Sequence, residues 1–245
     1  MWAVAILETK KQLQDKSLVF WNVLLPVVFV VGFMMIFSSD APDTVAVANQ
    51  IITGFSVFFA VFTIISIVIT FVKDKDSGFV ARMASTPLTV SGYFIGKIFP
   101  FVFIIVAQLV FLSLLGFVIY DVRIDQIFLY YFITLCLAFM VSSWGLGISV
   151  FSKTENTGIV LTQVIAFVGA ILGGLWMPFE ILPDIIQTIG KFFPQYWTHQ
   201  ALLFAVSETE SVNLWIAFLV IAIYTIIGIG IALLGYRQFL RKSIR

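Results

Sequence analysis

The residues of this chain that could do chemistry are few, and their spacing suits no reaction. One histidine, His199, excludes a multi-histidine metal or haem site. One cysteine, Cys136, excludes an intrachain disulfide and a thiolate metal site. The string nearest to a phosphate cradle is Gly92, Gly96 and Lys97. Its spacing is wrong and Ile98 stands where a hydroxyl must reach magnesium, so no nucleotide is expected to bind there. Ser149 follows Gly147 but has no glycine two residues later, so it builds no nucleophile elbow. An active site needs positioned titratable groups. None are in sight, and the chain is expected to be no enzyme.

The elements around these residues are apolar. Of 245 residues, 61% are hydrophobic and 11% charged, with a mean hydropathy of +1.09. That balance belongs to a polytopic membrane protein. A bilayer core of about 30 Å takes roughly 20 apolar residues as helix. Six runs qualify: 18–37, 51–72, 98–120, 126–151, 158–176 and 212–236. None holds a Lys, Arg, Asp, Glu or His, so an aspartyl protease within the bilayer has no carboxylates to use. Backbone groups in lipid must be paired internally, and the unbroken runs lack the alternation of a membrane barrel. The expected fold is all-α, with six spans in one domain over 1–245.

Basic residues orient the spans. With the N-terminus inside, 12 of 14 Lys and Arg fall on the inner side, and only Arg123 and Lys191 outside. Both termini are expected in the cytoplasm. His199 then lies outside, too far from Ser149 to pair with it. The lysines of MWAVAILETKK follow its apolar residues, the reverse of a secretory signal, and no cleaved leader is expected. Residues 1–17 suit an interfacial helix with Trp2, Ile6 and Leu13 toward lipid and Glu8, Lys11, Gln12 and Asp15 toward water. A simple extension of the first span is the other reading. Pro26 should kink that span, and the basic tail can hold anionic lipid head groups.

Only neutral polar groups occupy the spans, among them Asn22, Thr63, Gln108 and Gln163. Each reads as an interhelical hydrogen bond or a substrate contact. Gln108 and Gln163 are the largest, and the costliest to leave unpaired in lipid. Gly169 and Gly173 form a GxxxG suited to packing within the bundle or between subunits. Phe55, Phe58, Phe59 and Phe62 share one side of the second span, as core, lipid contact or substrate wall. After the fifth span, Pro178, Pro183 and Pro194 punctuate a segment in which Ile185, Ile186, Ile189, Phe192 and Phe193 oppose Asp184, Gln187, Thr188 and Lys191. That is amphipathic spacing for the outer membrane surface.

The long polar interval 73–97 is the largest on the inner side. Asp76 or Ser77 can cap a helix reaching about Ser85, striped by Phe79, Val80, Met83 and Ala84, with Arg82 toward water and Pro87 ending it. Ser91 offers a cap for the third span. Such a helix transmits a push or merely connects two spans.

This order of features resembles the ABC-2 type permeases, membrane subunits of bacterial ATP-binding-cassette exporters of the drug-resistance kind. The resemblance rests on Asp74-Lys75-Asp76-Ser77-Gly78, then Phe79–Ala84, then Ser85-Thr86-Pro87, with Gly96-Lys97 opening the third span. Gly173-Gly174, Pro178, Leu182-Pro183, Pro194 and Pro26 are similar to the family's pattern as well. Aspartates stand where the family's loop more often has glutamates, and Ala81 where a charge is frequent. The resemblance implies a bacterial plasma-membrane exporter of an amphipathic or hydrophobic drug, antibiotic, lipopeptide or lipid. It implies a separate cytoplasmic ATPase that carries ATP and magnesium, and a second permease copy or homologous permease. Membrane lipid surrounds the chain and no nucleic acid is involved. ATPase coupling falls on Asp74, Asp76, Gly78, Phe79, Arg82, Met83 and Pro87, and an external gate on Pro178, Pro183 and Pro194. Gln108 and Gln163 are candidates for the substrate path. The rivals are an ion-motive carrier and a non-transporting immunity or sensor protein.

Overall fold

The computed structural model describes residues 2–14, 20–39, 42–78, 90–207 and 212–243. Helices dominate, and no strand occurs among the described residues. Among the described residues ten α-helices follow in order: α1 (Trp2–Gln14), α2 (Leu25–Phe37), α3 (Thr44–Phe62), α4 (Ile64–Asp76), α5 (Val90–Tyr120), α6 (Ile127–Phe151), α7 (Glu155–Leu172), α8 (Asp184–Gly190), α9 (Pro194–Ser207) and α10 (Leu214–Ser243). Among the described residues five stretches are long and apolar enough to cross a membrane, α3 and α4 counting together as one.

The expected first span is not one continuous α-helix. Among the described residues it begins as a π turn, Phe20–Leu24, and becomes α2 at Leu25. Pro26 explains the change of register. Its nitrogen cannot donate, so it sits in the first turn of α2, and the wider π turn before it absorbs the break.

The second span is the centre of the bundle. Some 78% of its most apolar window is buried, against 22% for α10. It packs against α2, α5, α6, α7 and α9. Asp43 caps it by accepting from the amides of Val45 and Ala46 at 2.9 and 3.0 Å. Thr63 breaks it in the middle. The Thr63 hydroxyl lies 3.2 Å from the Phe59 carbonyl, a back-bond that bends helices. The helix then runs to Asp76, four residues past its apolar run, so Lys73 to Asp76 form its last turn. Ser77 ends it, and Gly78 follows at φ +68°.

The third span departs from expectation at its start. It is helical from Val90, not Ile98, so Ser91 lies inside it and Lys97 is a helical residue one turn before Pro100. α6 coincides with its apolar run to within a residue. α7 starts on a Thr154 cap and stops at Leu172, before the glycine pair. The aromatic residues of α3 turn out to be core: Phe55, Phe58 and Phe59 are buried, and Phe58 meets Trp176 with ring centres 5.2 Å apart.

Each of the three spaced prolines opens a helix. Pro178 precedes the 3-10 turn Phe179–Ile181, Pro183 precedes α8, and Pro194 begins α9. The apolar side chains of α8 and its flanks, Ile181, Ile185 and Phe192, are exposed. α9 was not legible as a helix, and it turns back among α3, α6, α7 and α10. Its last carbonyls, Ala205 and Val206, accept from the amides of Gln126 and Asp125 at 2.9 and 3.4 Å.

Candidate functional site

The charges that matter sit at the end of the bundle that carries Lys75, Lys97 and Lys153. Lys97 is 1% exposed. Its Nζ lies 2.6 Å from Asp74 Oδ2 and 2.8 Å from Glu8 Oε2. The cluster therefore joins three elements: α1, the last turn of α4 and the first turns of α5. Tyr93 donates to Asp74 Oδ2 at 3.1 Å. Gln12 donates to Glu8 Oε1 at 3.1 Å and to Thr70 Oγ1 at 3.2 Å. The ring of Phe71 lies under the ammonium, 5.5 Å from Nζ.

This corrects the reading of the first helix. Ile6 is exposed as expected, but Glu8 and Gln12 face inward, not toward water. Amphipathic spacing alone could not reveal this, because Thr70, the distant partner of Gln12, is 58 positions away in the chain, and Lys97, the partner of Glu8, is farther still. A buried carboxylate is tolerable only when paired and hydrogen-bonded, and Lys97 supplies the pairing for both.

The residues expected at the coupling loop divide. Asp74 is buried in the cluster and Asp76 is exposed, 3.7 Å from the Lys75 ammonium. Lys75 also donates to the carbonyls of Ser152 and Lys153 at 3.4 and 3.2 Å, tying the end of α4 to the α6–α7 turn. Ser77 closes α4, with its hydroxyl 3.1 Å from the Asp74 carbonyl. Phe79, Arg82, Met83, Pro87 and the expected loop helix lie outside the described residues. Both roots of that loop, Asp74 and Lys97, are nevertheless locked to each other and to α1.

The two glutamines also divide. Gln108 is buried, and Thr63 lies 3.4 Å from its Oε1 and 3.2 Å from Asn22 Oδ1, so three spans meet at one hydroxyl. That is the interhelical hydrogen-bond reading. Gln163 has no hydrogen bond among the described residues and lines a cavity of about 510 Å³. Asn22, Phe62, Ser66, Ile69, Lys73 and Asp74 share its wall. Gly169 and Gly173 face α9 inside the bundle: a Cβ on Gly169 would meet the side chain of Gln195, and one on Gly173 the Tyr196 amide.

At the opposite end, His199 is fully buried on α9 with Nε2 3.1 Å from Thr53 Oγ1. Thr53 gives its hydrogen to the Asn49 carbonyl at 2.6 Å, so the histidine donates and Thr53 accepts. Burial pushes the imidazole down from 6.5 to about 4, against the backbone carbonyl of Gln50, which acts the other way. The unfolded chain takes up a proton below 6.5 and the folded chain does not until about 4. Stability therefore falls as pH drops through that window, by on the order of 3 kcal/mol, and is unaffected above it. Thermal unfolding at pH 7.5 and pH 4.5 reads this slope, and His199→Gln should flatten it.

Among the described residues, no group of three or more His, Cys, Asp or Glu could hold a metal. The long apolar helices, the buried ion cluster at one end and the folded-back helix at the other define a multi-pass membrane protein. The chain matches the ABC-2 type transporter family over residues 1–206 and belongs to it. Proteins of this family are membrane transport subunits that normally pair with an ABC ATPase. YvfS of Bacillus subtilis (strain 168), named for a transport permease, is 28% identical over 196 residues, covering 78% of this chain and 79% of that protein. ABC transporter G family member 20 of Dictyostelium discoideum is 29% identical over 180 residues, covering 69% of this chain and 24% of the far longer relative.

Proposed function

We propose that the chain, residues 1–245, is one transmembrane domain of an ATP-driven exporter. The run 18–37 supplies its sixth span, and both termini face the cytoplasm of a bacterial cell. The substrate is an amphipathic or hydrophobic molecule such as a drug, antibiotic, lipopeptide or lipid, and two permease copies or homologues make the complete channel. ATP and magnesium belong to a separate ABC ATPase. The observation that carries the reading is the Glu8–Lys97–Asp74 cluster. It fastens both roots of the polar loop to α1 and to the central span, which is what a segment needs if it is to pass force to the bundle. On this reading ATPase closure pushes on Asp74, Asp76, Gly78 and the 79–87 segment with Phe79, Arg82, Met83 and Pro87. The bundles rock, and the segment opened by Pro178, Pro183 and Pro194 gates the outer side.

The test separates coupling from folding. Asp76 is exposed, so reversing Asp76→Lys together with Arg82→Glu should leave the buried cluster intact. The chain purified in a mild detergent should bring an ABC ATPase with it. In the double variant, stimulated ATP hydrolysis and transport should drop to the unstimulated level while thermal stability stays unchanged. Full activity in that variant would remove the loop from the coupling path.

A further inference from the structure

The cavity beside Gln163 has a chemistry of its own. The sequence suggested an apolar path without charges. The walls are instead graded. Phe62, Ile65 and Ile69 form one apolar side on the second span, while Lys11, Lys73, Glu8 and Asp74 collect at the end nearest α1. From Phe62 to Lys73 the helix rises about 16 Å, enough for a hydrocarbon tail along one wall. The two carboxylates are already engaged by Lys97 at 2.6 and 2.8 Å. Lys73, exposed on the cavity wall, has no ion pair among the described residues. Lys97 is shared by the two carboxylates, and Lys73 adds a further positive charge to that end. Gln163, halfway along an otherwise apolar span and without a hydrogen bond among the described residues, requires a polar neighbour that lipid tails cannot provide.

We propose that this cavity binds an amphiphile with an anionic head group, with Lys73 holding the head and the Phe62, Ile65 and Ile69 wall holding the tail. An ammonium beside a partly desolvated anion makes a charge-assisted contact, and a cationic head would meet the Lys73 ammonium instead. Gln163 faces the same space and offers both a donor and an acceptor to the polar part of the molecule. The proposal rests on the permease reading for its meaning, since it names the class of molecule the subunit would accept. Binding does not need the ATPase, so the two fail separately.

The experiment uses the full chain purified in a neutral maltoside detergent, with Cys136→Ser and Gln163→Cys. A water-soluble maleimide should modify the new thiol, and dodecyl phosphate should slow that reaction in a saturable way. Dodecyltrimethylammonium and inorganic phosphate should not. Lys73→Ala should weaken the protection about tenfold, the size of one lost charge-assisted contact, and Lys73→Arg should restore it. Protection by phosphatidylglycerol as well would assign the head group to a bilayer lipid, and protection by dodecyl phosphate alone to a soluble amphiphile. An unreactive thiol in neutral detergent would overturn the site, as would equal protection by the cationic amphiphile or protection indifferent to Lys73.

Discussion

Lys97→Met should be the most damaging single change at the loop roots, lowering stability by about 3–5 kcal/mol. The reason is not the worth of the ion pairs. Removing the ammonium leaves Glu8 and Asp74, both under a tenth exposed, with no cation between them. Tyr93 and Gln12 still donate one hydrogen bond each, which is too little to hold two carboxylates out of water. The charge-free version of the same site predicts the opposite. With Glu8→Gln and Asp74→Asn added to Lys97→Met, no buried charge remains, and most of the lost stability should return. Thermal unfolding of the wild type, Lys97→Met and the triple variant in one detergent measures this. If the triple variant were no better than Lys97→Met, the loss would lie in the packing of the lysine stem over Phe71 rather than in charge. The triple variant also separates stability from coupling. It should fold and insert, yet α1 would be held to the loop roots only by neutral hydrogen bonds.

Length and apolarity are local properties, and what depends on them was legible. The run 126–151 became α6 at Ile127–Phe151, and Thr154 caps α7 as its type suggests. Charged residues at the edges of apolar runs were misplaced for one reason. A lysine beside a span is ordinarily a solvated anchor, so Lys97 marked a boundary where the helix in fact continues. Its burial depends on Glu8, which contributes from a different helix. The polar letters of PQYWTHQALLFAVS hide a packed helix for the same reason, since Thr198, His199 and Gln200 are all buried in α9. Thr53, far back on the second span, is what makes His199 acceptable there. At the root of the loop the direction of Asp74 was not readable. Its side chain turns inward, and of the two aspartates Asp76 is the one at the surface.

Gly54→Ala should lower stability by about 3 kcal/mol, the upper end for overpacking, although it lies in the middle of an apolar run where alanine is the better helix former. A Cβ at Gly54 would stand 1.7 Å from the Leu175 carbonyl oxygen. The obstacle is backbone, so no rotamer can relieve it. The turn after α7 is held against α3 from both sides of that contact. Gln50 donates to the carbonyls of Gly174 and Met177 at 2.9 and 3.0 Å, and Gly174 makes the reversal at φ +63°. Leu175 is fully buried, and Trp176 stacks on Phe55 with ring centres 6.3 Å apart. A methyl group at residue 54 must therefore move the turn, and Trp176 with it. Lower thermal stability and a shifted tryptophan emission should appear together. Gly32→Ala is the matched control, because nothing lies within 4 Å of a Cβ there, and it should be neutral or slightly stabilising. If Gly54→Ala behaved like Gly32→Ala, the close docking of the glycine turn on the central span would be wrong. So would the rigid attachment of the proposed outer gate, because Pro178 follows that turn directly and the gate can move with the second span only if the two stay in contact.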